Sequence, residues 1–264
     1  MYILKEWKEE SRGVGIWIAL AVSCTASMFI LVQSRSFPPE QGFEAMLLSL
    51  YEMNLYLIPL LSLFISSLSI ISEKEQKTLM IFLTKKESYR GFLLRKSIAV
   101  QTVLIGIFTV WNFVLALPMK FIQPFHLKSF LAYLIATIVL LFIFNQIGLL
   151  LGSFCNTRLQ LTGTVIFSWF AFLYLLDLVF LYMLPTETKN TIQLFSAFYF
   201  LDPLHTIYFY LENALGLLSL NHLSKIVEQM VWMSPNYYLL TILLIWTVIP
   251  FELAVWFYRK GATE

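Results

Sequence analysis

Six long apolar runs divide the chain, at roughly residues 15–33, 53–72, 98–118, 130–152, 160–184 and 236–258. Each is close to the ~20 residues that an α-helix needs to cross a hydrocarbon core of ~30 Å. The pattern predicts an all-α polytopic membrane protein with six transmembrane helices. Ahead of the first run stands "MYILKEWKEESRGVG", in which Ile3, Leu4, Trp7, Ser11 and Val14 fall near one helical face. Lys5, Glu6, Lys8, Glu9 and Arg12 surround the rest. That predicts an amphipathic helix over residues 1–14, lying in the membrane interface and turning inward at Gly13 and Gly15. A lipoprotein signal ending at Cys24 is the weaker reading, because the apolar run continues to Val32 and Ala21 suits a lipobox poorly.

Composition fits a chain dissolved in lipid. It is 59% hydrophobic and 13% charged, against ~25% charged for a soluble domain, and its mean hydropathy is +0.75. A net charge of +2 points away from a nucleic-acid partner. Cys24 and Cys155 show neither metal spacing nor a disulfide framework. His126, His205 and His222 lie far apart in sequence, and only Asp202 near His205 suggests a ligand pair.

The distribution of basic residues sets the orientation. With both termini cytoplasmic, thirteen of eighteen Lys and Arg residues fall inside and five outside, as the positive-inside rule requires. The first two outer connections, Arg35 to Glu52 and Lys120 to Ser129, are then short. The third, residues 185–235, is apolar and aromatic but broken at Asp202-Pro203 and by Glu212, Asn213 and Gly216. It reads as interfacial or re-entrant helices, since a seventh span would put Arg259 and Lys260 outside. No repeat or soluble domain interrupts this single membrane domain, residues 1–264.

Charge concentrates in one inner loop, residues 73–97. Ten charged residues lie between Glu73 and Lys96. Ser72 followed by Glu75, and Thr84 followed by Glu87, are capping-box patterns that predict two helix starts. Leu79, Phe82 and Leu83 share one face after the first, and Tyr89, Phe92 and Leu93 after the second. Anionic lipid alone would account for the basic residues, but an apolar knob ringed by both signs of charge is what a protein partner grips.

The stretch "SEKEQKTLMIFLTKKESYRGFLLRKSIA" resembles the cytoplasmic segment after the second span of ABC transporter permeases of the type-2 (ABC-2) family. Glu73, Glu75, Thr78, Leu79 and Lys96 match its Glu-x-Glu, Thr-Leu and Lys positions, while Lys77 and Lys86 stand where Gly and Pro are usual. "YLLDLVFL" and "LDPLH" resemble, more narrowly, the branch containing permeases of nitrous-oxide-reductase maturation systems. The resemblance implies a permease, with this segment docking on a separate ATPase dimer through Glu73, Glu75, Thr78, Leu79, Phe82 and Leu83. It also implies a second permease copy or homologue. ATP and Mg²⁺ would be held by the ATPase, since no G-x-x-x-x-G-K-[ST] loop occurs here and no cofactor is expected in this chain. An exporter is the expected function; a sensor or immunity protein that binds a peptide or envelope factor is the alternative.

Four polar residues fall inside the runs: Asn112 and Asp177 in their outer thirds, Asn145 and Glu252 in their inner thirds. An ionised side chain at the bilayer centre costs ~2.5–3.5 kcal/mol, so each is expected to face protein. Pairing within each set, or a place on a substrate path, would satisfy them.

Overall fold

The computed structural model describes residues 14–38, 42–75, 88–182, 189–218 and 230–261. Among these residues nine α-helices follow in order: α1 (Val14–Gln33), α2 (Gly42–Glu75), α3 (Tyr89–Ile122), α4 (Leu127–Phe154), α5 (Arg158–Phe170), α6 (Leu176–Tyr182), α7 (Lys189–Tyr199), α8 (Pro203–Ala214) and α9 (Pro235–Gly261). A π-helical turn, Ala171–Leu175, joins α5 and α6 into one rod. By length and composition, five helices among the described residues could cross a membrane: α2, α3, α4, the α5–α6 rod and α9. Each contains one of the expected runs or nearly all of it.

Burial inverts the pattern of a water-soluble bundle. On α1 the exposed residues are Trp17, Val22, Met28, Phe29 and Val32, while Ser23 and Ser27 are buried. The α5–α6 rod likewise exposes Phe167, Leu178 and Leu181. Small polar residues let helices approach closely, and apolar bulk meets a solvent that makes no hydrogen bonds. α4 is the central post, packed against α2, α3, α5, α8 and α9. Its tightest contact is with α2. A methyl group on Gly152 would lie 2.7 Å from the Ser67 carbonyl and 3.0 Å from Ser67 Cα, and Gly148 is closed off in the same way by Ser66 and Leu63.

Three expectations about boundaries are corrected. α2 begins at Gly42, well before residue 53, because Phe43, Met46, Leu47, Leu50 and Tyr51 extend the buried stripe at helical spacing. The connection Arg35 to Glu52 is therefore mostly helix. Ser72 starts no helix: α2 runs through it to Glu75, and its hydroxyl bonds back to Ser69 O at 3.0 Å. Tyr89, Phe92 and Leu93 form no separate element but are the first turns of α3, capped by Ser88. Thr78, Leu79, Phe82, Leu83 and the Thr84–Glu87 capping box lie outside the described residues, as does most of the N-terminal interfacial helix.

Between the α5–α6 rod and α9, the described part of residues 185–235 contains α7 and α8, of eleven and twelve residues. At 1.5 Å per residue neither reaches across ~30 Å. α8 begins at Pro203, a residue suited to a first helical turn, with Asp202 as its cap. It is not merely a surface cover, for Leu204, Thr206, Ile207 and Leu211 are buried against α4, α9 and α2.

Candidate functional site

The charged residues gather at the end of the bundle where α2, α4 and α9 finish and α3 and α5 begin. Side chains on consecutive helical residues diverge by about 100°, so Glu73, Lys74 and Glu75 leave the last turn of α2 in three directions. Glu73 turns inward and accepts a hydrogen bond from Lys96 Nζ of α3 at 3.2 Å. The two side chains are only 4% and 1% exposed. Lys74 donates to Ser153 O at 2.7 Å and Cys155 O at 2.8 Å, carbonyls at the end of α4 that lack intrahelical partners. Its ammonium also lies 5.6 Å from the centre of the Tyr258 ring of α9. Glu75 accepts a two-pronged hydrogen bond from Arg158 of α5, with Nε–Oε1 at 2.9 Å and Nη2–Oε2 at 2.6 Å. That fork is the geometry in which Arg and carboxylate fix each other's direction.

The other root of the charged segment is fastened as well. Ser88 Oγ accepts from Gly91 N at 3.1 Å, capping α3. Phe92 and Leu93 join Ile70, Leu149 and Tyr258 in a buried apolar cluster. The rings of Phe92 and Tyr258 are stacked at 5.8 Å. On the rim, Arg90 pairs with Glu252 of α9. The described chain on either side of residues 76–87 is thus fastened at two roots that touch α4, α5 and α9. The sequence reading missed Lys74, Arg158 and Arg90 as partners, and it placed both Glu73 and Glu75 in an exposed collar. For Glu73 that is corrected: its carboxylate faces Lys96 inside the bundle, because a buried ammonium requires an anion beside it.

The four polar residues inside the runs do not pair as expected. Asn112 is buried in a chain that runs across three helices. Asn54 Nδ2 donates to Tyr133 Oη at 2.8 Å, and Tyr133 Oη donates to Asn112 Oδ1 at 3.0 Å. Neither Asn54 nor Tyr133 stood out in the sequence, although a lone Asn inside an apolar helix is a signal that could have drawn attention. Asn145 is buried with both amide atoms unpartnered, beside Gln146, whose Nε2 donates to Ser97 Oγ at 2.7 Å. Glu252 is partly exposed and belongs with Arg90.

Asp177 sits at the opposite, far end. Its side chain is 56% exposed, and Oδ1 lies 3.3 Å from His205 Nε2. The other ring nitrogen of His205 meets Asp202, whose side chain is 1% exposed. The expectation that Asp177 is the buried acid and Asp202 the loop residue is therefore reversed. Burial pushes the Asp202 carboxyl above its usual range, with His205 and two α8 backbone amides pulling the other way. The two acids approach opposite edges of one ring, so their oxygens do not converge on a common point. Among the described residues no group of three or more His, Cys, Asp or Glu side chains could hold a metal ion.

At the charged end, the arrangement can transmit force. It ties the two flanks of one short segment to each other and to α4, α5 and α9. Comparison with curated proteins gives no match. The profile of the ABC-2 family transporter proteins matches residues 12–261, nearly the whole chain and including both roots of the charged segment. Together with five long apolar helices and an inverted burial pattern, this match makes the chain an integral membrane protein that belongs to the ABC-2 family of transporters.

Proposed function

We propose that the chain is the membrane-spanning permease subunit of an ATP-driven exporter. Its coupling element is the segment after the second span, residues 73–97. The observation that carries the reading is the double fastening of this segment. Glu73, Lys74 and Glu75 bind α2 to α3, α4 and α5, while Phe92 and Leu93 bind the start of α3 to α9. A push on residues 76–87 then reaches the helix bundle through charge-assisted hydrogen bonds rather than a slack loop. Leu79, Phe82 and Leu83 form the apolar contact with the ATPase, with Thr78 and Glu75 beside it and Glu73 anchoring it from below.

In this reading α1 is a sixth span, twenty residues with apolar bulk facing lipid. Both termini face the cytoplasm, and the membrane is the bacterial cytoplasmic membrane. Two such subunits, or one with a homologue, pair over two ATPase subunits, which bind ATP and Mg²⁺ and hydrolyse it. Nucleotide-driven closure of the ATPases moves the coupling segments and opens the bundle at its far, outer end. Extraction of the chain with its genomic neighbours in mild detergent tests this. An ATPase carrying a phosphate-binding loop co-purifies if the reading is right; a chain that elutes alone, or with an envelope peptide, overturns it.

A further inference from the structure

At the far end, α2, the π-turn, α6, α7 and α8 line a partly open cavity of about 440 Å³. Its walls carry Glu52, Asp177, Tyr56, Phe172, Tyr199 and Tyr208, with His205 at one side and, among the described residues, no Lys or Arg. His205 supplies at most one positive charge and is shared between Asp177 and Asp202. Glu52 accepts a hydrogen bond from Tyr208 at 3.0 Å, so its carboxylate is held in place by the aromatic wall. Behind Tyr208, with ring centres 6.4 Å apart, lies Tyr51, whose wholly buried hydroxyl has no hydrogen-bond partner among the described residues. A second cavity of about 420 Å³ adjoins the first at Phe172 and is lined by Leu176, Val179, Phe180 and Trp246. The π-turn contributes Ala171 to one cavity, Leu173 to the other and Phe172 to both, and such turns in otherwise regular helices recur where a helix wall is shaped for a ligand.

The geometry points to a binding site for an organic ammonium ion that carries an apolar group. The cationic head sits among Glu52, Asp177 and the tyrosine faces, and the apolar part lies along Phe172 toward the second cavity. Carboxylates at the rim attract the charge, and aromatic faces stabilise a cation that has shed part of its water. A bare metal ion is the wrong guest, because among the described residues no group of three or more His, Cys, Asp or Glu could hold one and the cavity is far larger than a coordination sphere. An anion or a phosphate headgroup would meet Glu52 and Asp177, and among the described lining residues only His205, already shared between Asp177 and Asp202, could offset them. The inference rests on the permease reading above, and it names the class of cargo that the outer end of the bundle receives.

The test uses the purified chain in zwitterionic nanodiscs and radiolabelled benzyltrimethylammonium in equilibrium dialysis. We expect saturable binding that weakens about tenfold or more in the Glu52→Gln/Asp177→Asn double variant, the scale of a lost charged contact. Glu44→Gln, about two turns away along α2 beside His126 and Ser129, should leave binding unchanged. Should the double variant not assemble, Asp177→Asn alone alters a half-exposed side chain, and about a threefold loss is expected on the same basis. Binding no greater than to empty nanodiscs overturns the site, as does equal binding by wild type and variant. None of these measurements needs nucleotide. A chain that retains its ATPase but ignores the cation therefore overturns this inference and leaves the permease reading standing. A chain that binds the cation yet never captures an ATPase does the reverse.

Discussion

Glu73 and Lys96 meet at 3.2 Å inside the bundle, one at the end of α2 and the other in the second turn of α3. Two charges removed from water are stable only because they face each other. Lys96→Met alone should therefore destabilise the chain by about 3–5 kcal/mol, while Glu73→Leu with Lys96→Met should recover most of that. Unfolding of detergent-solubilised protein across the four-member cycle measures this. A double variant as damaged as the single would show that the pair does not act as a unit.

Docking should depend on apolar contact more than on charge. Truncating central apolar anchors of an interface costs about 2 kcal/mol or more, while rim charges matter less. Phe82→Ala with Leu83→Ala should release the ATPase from a normally inserted permease, and neutralising Lys85 and Lys86 should change little. The readout is ATPase captured per inserted permease. The opposite ranking would make the lysines the contact.

The orientation is checked separately. A reporter fused after Glu264 and a cysteine in place of Lys86 should both report the cytoplasm in intact cells. Labelling of either position by an impermeant reagent from outside would reverse the topology.

Close packing of α2 on α4 gives a stability prediction with its own control. Gly152→Ala sets a methyl group against the Ser67 carbonyl at 2.7 Å, and overpacking of this kind costs about 1–3 kcal/mol. Gly106→Ala, in α3, meets nothing within 4 Å and should stabilise its helix by up to about 1 kcal/mol. Thermal unfolding of the two variants should move in opposite directions.

Asp202 gives a pH dependence. In the unfolded chain its carboxyl ionises near ~3.9, whereas burial raises it in the fold. A raised carboxyl gives stability that is complete below the unfolded value and is lost as pH rises through the folded one. Asp202→Asn keeps a side-chain oxygen to cap α8 and should flatten this decline. His205 on α8, Asp177 on α6, Tyr199 on α7 and Tyr51 on α2 face the same site and stay unchanged in the comparison. Melting temperatures of both proteins between about pH 4 and pH 7 decide it. Parallel curves would show that the Asp202 carboxyl does not set the slope.

Much of the architecture was legible in the hydrophobic runs, because a span of about 20 apolar residues is a demand of the bilayer rather than of packing. Boundaries were less legible. Ser72-x-x-Glu75 has the composition of a helix start, yet Ile70 and Ile71 on one side and Glu73 on the other all have buried partners that keep α2 winding. The partners of Glu73, Lys74 and Glu75 could not be read at all, since they depend on which three helices stand around one turn. Asp177 and Asp202 were ranked by position within or outside an apolar run, whereas burial there follows from how α8 folds back between α4 and α9.

The tie between α2 and α4 has a mechanical meaning. Gly148 and Gly152 fix the two helices on the charged side of Pro59, and the Asn54–Tyr133 hydrogen bond fixes them on the other. A proline between two such fixed points cannot serve as a free hinge. The pair turns as one lever, so a displacement delivered at Glu73 arrives undivided at Glu52, about 30 Å along the same helix at 1.5 Å per residue. Compliance is left to the α5–α6 rod, where the π-turn interrupts the regular hydrogen-bond ladder. The stiff arm and the yielding one face each other across the same cavity.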